Sequence, residues 1–479
     1  MCRTIILRHP LAKMNSLVEP ALRSLEAQSV GEKKKQHMSL EEYFVGPRDV
    51  TRHSKWPRAL RMHGSVTPKI LLRTLLIAIW ATGITCISEK VHKIDVHPTI
   101  AAILGILVAF ALNLRSATAY ERYMEGRKVW SNLSGVSATL ARNIWVHAKE
   151  REGDVGRQDL LAKVSFINLI TAFALALKHK VRFEPYTQYN DMYDLVSHLD
   201  TFARVAGRPK DSTGRPNRWR RIKYVLHIAA PNPRAELKRA KRPLGNLPLE
   251  ILGYMDAYIQ SVVDNGTFPL APMQSKSISN IQAMDDILVT ADRILNTPLP
   301  IAYTICISQI TWIYVITLPV QLVSLLGWIN IPVTIISAYI ILGFAAIGNE
   351  IENPFGHEVN DLPLELYCEQ IASDMAIITS RPPPNLDEYA FHPDNKPLYP
   401  ISSASPGFGP GADIDDIRDA LRTRAMANKP AMWRRQSSPN VDGKAPDMRS
   451  QSVGGSTLAE QVSGANESLS HYATVRWAA

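Results

Sequence analysis

ILNTPLPIAYTICISQITWIYVITLPVQLVSLLGWINIPVTIISAYIILGFAAIGN, residues 294–349, runs for 56 positions without an Asp, Glu, Lys or Arg. The chain as a whole is 20% charged, so a gap of this length demands a cause. Crossing the hydrocarbon core of a bilayer takes about 20 predominantly apolar residues. Two crossings and a tight turn fit the tract, with Gly327-Trp328-Ile329-Asn330-Ile331-Pro332 as the turn. The expected spans are 301–326 and 332–348. Trp328 then falls at the membrane–water boundary, where tryptophan is enriched. A buried helix of a soluble core can be as apolar, but two in succession are rare.

Working outward, two weaker spans precede this tract. Residues 71–87 carry one charge, Arg73, close enough to the start to reach the interface. Residues 96–114 carry none, and Pro98 falls at the start, where proline is tolerated. The whole-chain averages conceal these windows: 46% hydrophobic residues and a net charge of +10 over 479 residues would describe a soluble protein. They do exclude a wholly disordered or collagen-like chain. The four cysteines, Cys2, Cys86, Cys306 and Cys368, are far apart and form no CxxC, which argues against a disulfide scaffold or a cysteine zinc site.

Charge sets the orientation. The hairpin loops 88–95 and 327–332 hold two basic residues and none, whereas 1–70, 115–298 and 348–479 hold 13, 27 and 11. By the positive-inside rule, both termini and the middle region face the cytoplasm or its equivalent. The plasma membrane is the expected location. An organellar membrane stays open, because Arg3, Arg8 and Lys13 precede the first acid, Glu19, in the manner of a short transit peptide.

The region 115–298 reads as cytosolic helices. Apolar residues recur at three- and four-residue intervals over 131–149, 159–178, 249–263 and 278–295. Residues 207–246 interrupt this pattern with five prolines and a basic cluster that includes Arg218, Arg220, Arg221 and Lys223. No nucleic-acid motif accompanies the charge. Proximity to anionic lipid heads is the expected role, and nucleic acid is not an expected partner. Residues 1–55 form an N-terminal cytosolic segment. Residues 381–479 contain 29 Pro, Gly or Ser and no sustained apolar period, so a disordered tail is expected there. Within it, Arg434-Arg435-Gln436-Ser437 makes Ser437 a candidate phosphosite.

Enzyme signatures are missing: no P-loop, GxGxxG, HExxH or GxSxG occurs. The spans hold no acid that could serve as ligand or proton relay. No catalytic residue, metal ligand or cofactor is therefore expected. A passive pore suits such walls, because a narrow apolar tube dewets and blocks ions. On the second span Ile106, Phe110 and Leu114 share one helical face, and Ile103, Leu107 and Ala111 form a neighbouring stripe of the same spacing. Periodicity alone favours helix–helix or lipid contact for either stripe, since most apolar stripes are packing.

Two motifs leave the spans. Tyr120-x-Arg122-x-x-Glu125-Gly126-Arg127-x-x-Trp130 follows the second, beyond Arg115. Asn353-Pro354-Phe355-Gly356 with Asn360-Asp361-Leu362-Pro363-Leu364 follows the fourth. Together they resemble the bestrophin family, in its bacterial and fungal chloride-channel-like branch, over about residues 56–380 outside the 207–246 insertion. The resemblance implies an all-α integral membrane protein of four transmembrane helices plus a cytosolic helical domain. It implies a homopentamer around one pore that passes chloride or another small monovalent anion between membrane lipids. A monovalent cation channel of the same fold, and a non-conducting membrane scaffold, are the alternatives. The family's hydrophobic neck ends just before an Arg, which Arg115 matches, so the neck maps to Ile106, Phe110 and Leu114. The cytosolic constriction precedes a Pro and maps to Leu299. Animal members bind calcium after the Asn-Pro-Phe-Gly motif. Here Glu358 and Asp361 are the acids of that stretch, too few for a calcium cage. Glu350, Glu352 and Asp361 are expected to cap helices and pair across subunits. Arg122 with Glu125, and Glu125 with Lys128, have the spacing of helical ion pairs; Arg127 is a candidate for a partner subunit, and Trp130 for packing.

Overall fold

The computed structural model describes residues 57, 61, 62, 64–94, 96, 97, 99–205, 244–399 and 413–427. The N-terminal segment 1–55, nearly all of the 207–246 insertion and Ser437 lie outside the described residues. Among the described residues every regular element is helical. The long helices are α1 (Thr67–Lys90), α2 (Thr99–His147), α3 (Gly153–Val181), α4 (Leu247–Asp264), α5 (Ala271–Asn296), α6 (Ile301–Leu326), α7 (Asn330–Ile351) and α8 (Leu364–Thr379).

The charge-free tract folds as expected. An unbroken helix over residues 301–351 would be roughly 76 Å long at 1.5 Å per residue. That is more than twice the roughly 30 Å of a hydrocarbon core. Gly327 stops it, with a φ of +51° that side chains with a Cβ resist. A 3₁₀ turn, Gly327–Ile329, then sends α7 back along α6. Buried Asn330 stitches this end of the bundle, donating to Pro319 O at 2.9 Å and Thr85 Oγ1 at 3.2 Å. Pro319 lacks an N–H and disturbs the α6 ladder, and nearby Ile316 O takes Trp80 Nε1 at 3.0 Å. Ile70 and Ile77 of α1, Val315 of α6, and Ala338 and Leu342 of α7 close together, while Val108 and Leu112 of α2 pack on Ile307 of α6.

α2 differs from the reading of its parts. The second span and the amphipathic stretch 131–149 are one helix of 49 residues. Its far half joins α3, α4, α5 and α8 around a second core that includes Trp130, Leu133, Phe166, Phe173, Met255, Met284 and Phe355. α3 is long and apolar enough by composition to cross a membrane, as are α1, α2 and the 301–351 run. Most of its apolar window is nonetheless buried inside the chain, and it carries buried Lys163, Lys178 and His179. Its own neighbours cover it, so it does not require lipid. The apolar windows of the others remain largely uncovered.

Residues from Asn385 onward form a separate unit. Within the stretch expected to lack structure, residues Ile414–Ala427 form a further helix, α9. The reason is local: this window contains no Pro, Gly or Ser, although the tail around it is rich in them. Arg418–Asp415 at 3.2 Å and Arg422–Asp419 at 2.8 Å add neighbouring-turn ion pairs.

Candidate pore and its supporting motifs

α2 is the spine of the site. At 1.5 Å per residue its 49 residues extend about 74 Å. Val108 and Leu112 turn into the chain's own bundle, whereas Ile106, Phe110 and Leu114 are 71%, 63% and 39% exposed. Ile103 and Leu107 are exposed too, but Ala111 of that second stripe packs against the Val108–Leu112–Ile307 cluster. The stripe through Phe110 is thus the one left without cover along its whole length.

Arg115, one residue past this stripe, is buried and does not continue it. Its guanidinium bonds Asn349 Oδ1 and lies 3.5 Å from Glu352 Oε2, joining α2 to the end of α7. The two sequence motifs meet about three turns further along α2, at Gly126. A Cβ on Gly126 would sit 3.1 Å from Pro354 Cγ, 3.2 Å from Phe355 Cε1 and 3.3 Å from Leu362 Cδ1. A glycine lets the helix approach this loop closely, and any side chain here would push its neighbours back. Phe355 is 0% exposed beneath it, and Arg182 Nε reaches Phe355 O at 3.3 Å.

Several pairings differ from the expectation set by helical spacing. Glu125 pairs with Arg293 of α5 rather than with Arg122 or Lys128. Arg122 serves backbone carbonyls of α5 and the α7 end instead. Arg127 lies 4.6 Å above the Tyr367 ring and 3.2 Å from Ser131 Oγ. Trp130 packs in the core with its ring 6.2 Å from Tyr367. Tyr120 is exposed, as is Asn353, and Leu299 is half-buried in the link between α5 and α6. For Arg122 and Glu125 a long-range partner displaces the local one, because α5 packs along this part of α2.

Two of the acids at or beyond the end of α7 find partners inside the chain. Lys69 at the start of α1 lies 3.0 Å from Glu350 Oε2 and pairs with Glu358. Asn360 donates to Glu350 Oε1 at 2.7 Å and to Gly64 O at 2.8 Å. Among the described residues no group of three or more His, Cys, Asp or Glu side chains is placed to hold a metal ion. Sequence spacing gives no signal for Lys69, which meets its partners across the whole length of the channel-like region. Nor does it find Glu184, which accepts from His179 at 2.6 Å and His357 at 3.0 Å. Burial raises the Glu184 pKa, but these bonds outweigh it and hold it at about 2.

Asp361 behaves oppositely. Its Oδ2 accepts the Glu358 N–H at 2.7 Å. Burial, aided by the Glu358 and Glu350 charges, nevertheless pushes its pKa up to about 7. The folded loop therefore holds the Asp361 proton more tightly than the unfolded chain does. The associated stability is complete below about pH 4 and is lost as pH rises toward about 7. Asp361→Asn is expected to flatten this dependence. Thermal unfolding in detergent across that range checks it, and an unchanged slope would refute the assignment to Asp361.

Residues 48–376 match the family described as Bacterial/Fungal Bestrophin protein. The chain is 30% identical over 324 residues to the voltage-dependent anion channel-forming protein sll1024 of Synechocystis, covering 68% of this chain and 91% of that one. It is likewise 30% identical over 331 residues to the voltage-dependent anion channel-forming protein alr2987 of Nostoc, covering 68% and 92%. A crystal structure of a bacterial bestrophin homolog from Klebsiella pneumoniae matches 65% of this chain and 99% of its own, at 21% identity and a TM-score of 0.49.

Proposed function

This chain belongs to the bacterial/fungal bestrophin family, and from that premise we propose that it is an anion channel assembled as a homopentamer around one pore. It is an integral membrane protein with helices long and apolar enough to cross a bilayer. Chloride or another small monovalent anion passes down its gradient, without catalysis. Both termini and the helical domain of α3, α4, α5 and α8 face the cytoplasm.

The observation that carries the reading is the exposed apolar stripe Ile106–Phe110–Leu114, on a helix that continues from the apolar bundle into the second core. A closed ring of identical subunits brings one copy of each lining residue to the axis. Five Phe110 side chains between rings of Ile106 and Leu114 make a neck that dewets when narrow. Leu299 supplies the second constriction on the cytosolic side. The chain's excess of basic residues outside the spans raises the local anion concentration. Curated relatives named as anion channel-forming proteins support the choice of ion.

Two measurements on purified protein test this reading. In detergent, the particle is expected to have five times the mass of one chain. In chloride-loaded liposomes, it is expected to release chloride. A particle of one chain, or liposomes that stay loaded, would overturn it.

A further inference from the structure

We infer that Glu121 and Lys128 sort ions by charge below the neck, Glu121 against anions and Lys128 in their favour, an inference that rests on the pore reading above. At 3.6 residues per turn, each residue advances a helix by about 100°. Eighteen residues therefore make about five full turns, and Lys128 stands on the same line of α2 as Phe110. Ala117, Glu121 and Met124 fall within about 40° of that line. All three are exposed, as is Lys128. Val108, Leu112, Ala119, Gly126 and Trp130 fall within about 20° of the opposite line. All five are buried. The helix thus keeps one orientation from the neck to beyond Gly126, and the face that carries Phe110 reaches Lys128 without entering the chain's own core.

The charges along this part of α2 divide by that face. Away from it, Arg122 is held by backbone carbonyls, Glu125 pairs with Arg293, and Arg127 lies over the Tyr367 ring. On it, the side chains of Glu121 and Lys128 make no ion pair and no hydrogen bond among the described residues. In a closed ring of identical subunits each supplies five copies at one level. Glu121 makes the first exposed charged level, about 17 Å past Phe110, and Lys128 the second, about 27 Å past it. Rings of acids favour cations, and rings of lysines favour anions. The two levels stand about one Debye length apart at about 0.1 M salt. Each therefore acts on a passing ion with its own sign, and the two do not cancel as a contact pair would.

The test uses the full chain in planar bilayers and takes the chloride-to-potassium permeability ratio from the reversal potential under a potassium chloride gradient. Lys128→Glu is expected to lower the ratio by about threefold or more, and Glu121→Gln to raise it by about twofold or more. Both shifts are expected to shrink at about 1 M salt, where the Debye length falls to about 3 Å. Lys128→Gln is expected to lower the ratio less than Lys128→Glu, and it keeps the inference testable should the charge reversal fail to assemble. Arg127→Gln removes the same charge one residue away, about 100° round the helix, and is expected to leave the ratio unchanged. An unaltered ratio in the Lys128 variants, or shifts of one sign for Glu121→Gln and Lys128→Gln, would overturn the inference. So would an equal shift in Arg127→Gln. The expected signs hold whether the unaltered chain favours chloride or potassium, so this inference and the choice of ion fail separately. Absence of any current in the unaltered chain would instead overturn the channel reading.

Discussion

Phe110→Ala is expected to leave the neck unable to close. Phe110 is the largest side chain of the stripe and is 63% exposed. In a five-fold ring each substitution removes five aromatic rings from one level of the tube. A wider level holds water, and the barrier to a hydrated anion falls. A barrier lower by about 1.4 kcal/mol already speeds passage about tenfold. Single-channel recording and chloride release from liposomes both report it, as higher open occupancy and faster release. Val108→Ala is the matched control, because Val108 is two residues away but packs against Ile307. It is expected to reduce stability without raising conductance. A Phe110→Ala channel that gates and conducts like the unaltered chain would remove the neck from this stripe. The same recording on Leu107→Ala would then test the neighbouring one.

The second large effect is on stability. Phe355→Ala is expected to cost about 3–5 kcal/mol, the usual loss for a fully buried aromatic side chain. Phe355 has no exposed surface and fills the contact between Gly126 on α2 and Leu362 after α7. The cavity cannot collapse readily, because Arg182 holds the Phe355 carbonyl and the Leu362 N–H is bonded to Pro354 O at 2.9 Å. Phe355→Leu keeps much of the volume and is expected to lose under about 1.5 kcal/mol. Thermal unfolding in detergent separates the two. Equal losses, or none for alanine, would mean that the meeting of the motifs does not hold the membrane helices on the cytosolic core.

The spans are legible in the sequence because lipid imposes one rule along the whole of a segment. The lack of charge between Arg293 and Glu350 marks both α6 and α7, and the turn at Gly327 follows from length. α3 shows the limit of that rule. It too has a span's composition, and most of what covers it, α4 and α8, lies far away in the sequence. Amphipathic spacing over 159–178 is the signal that distinguishes it. The motif residues are legible as a set but not in their pairings. Helical spacing offers Arg122 to Glu125, yet three carbonyls from distant elements claim Arg122. Lys69 and Glu350 meet only because α1 and α7 pack side by side. Local charge spacing describes an isolated helix, whereas α5 and α8 pack against α2. α9 fails in the other direction, since composition averaged over the tail hides a short window of helix formers.

The most direct measurement is the reversal potential of the purified full-length protein in a planar bilayer under a gradient of potassium chloride. An anion channel gives a reversal potential close to the chloride equilibrium value, and reversing the gradient changes its sign. A value close to the potassium equilibrium potential, or a bilayer that stays silent, would contradict anion conduction by this chain.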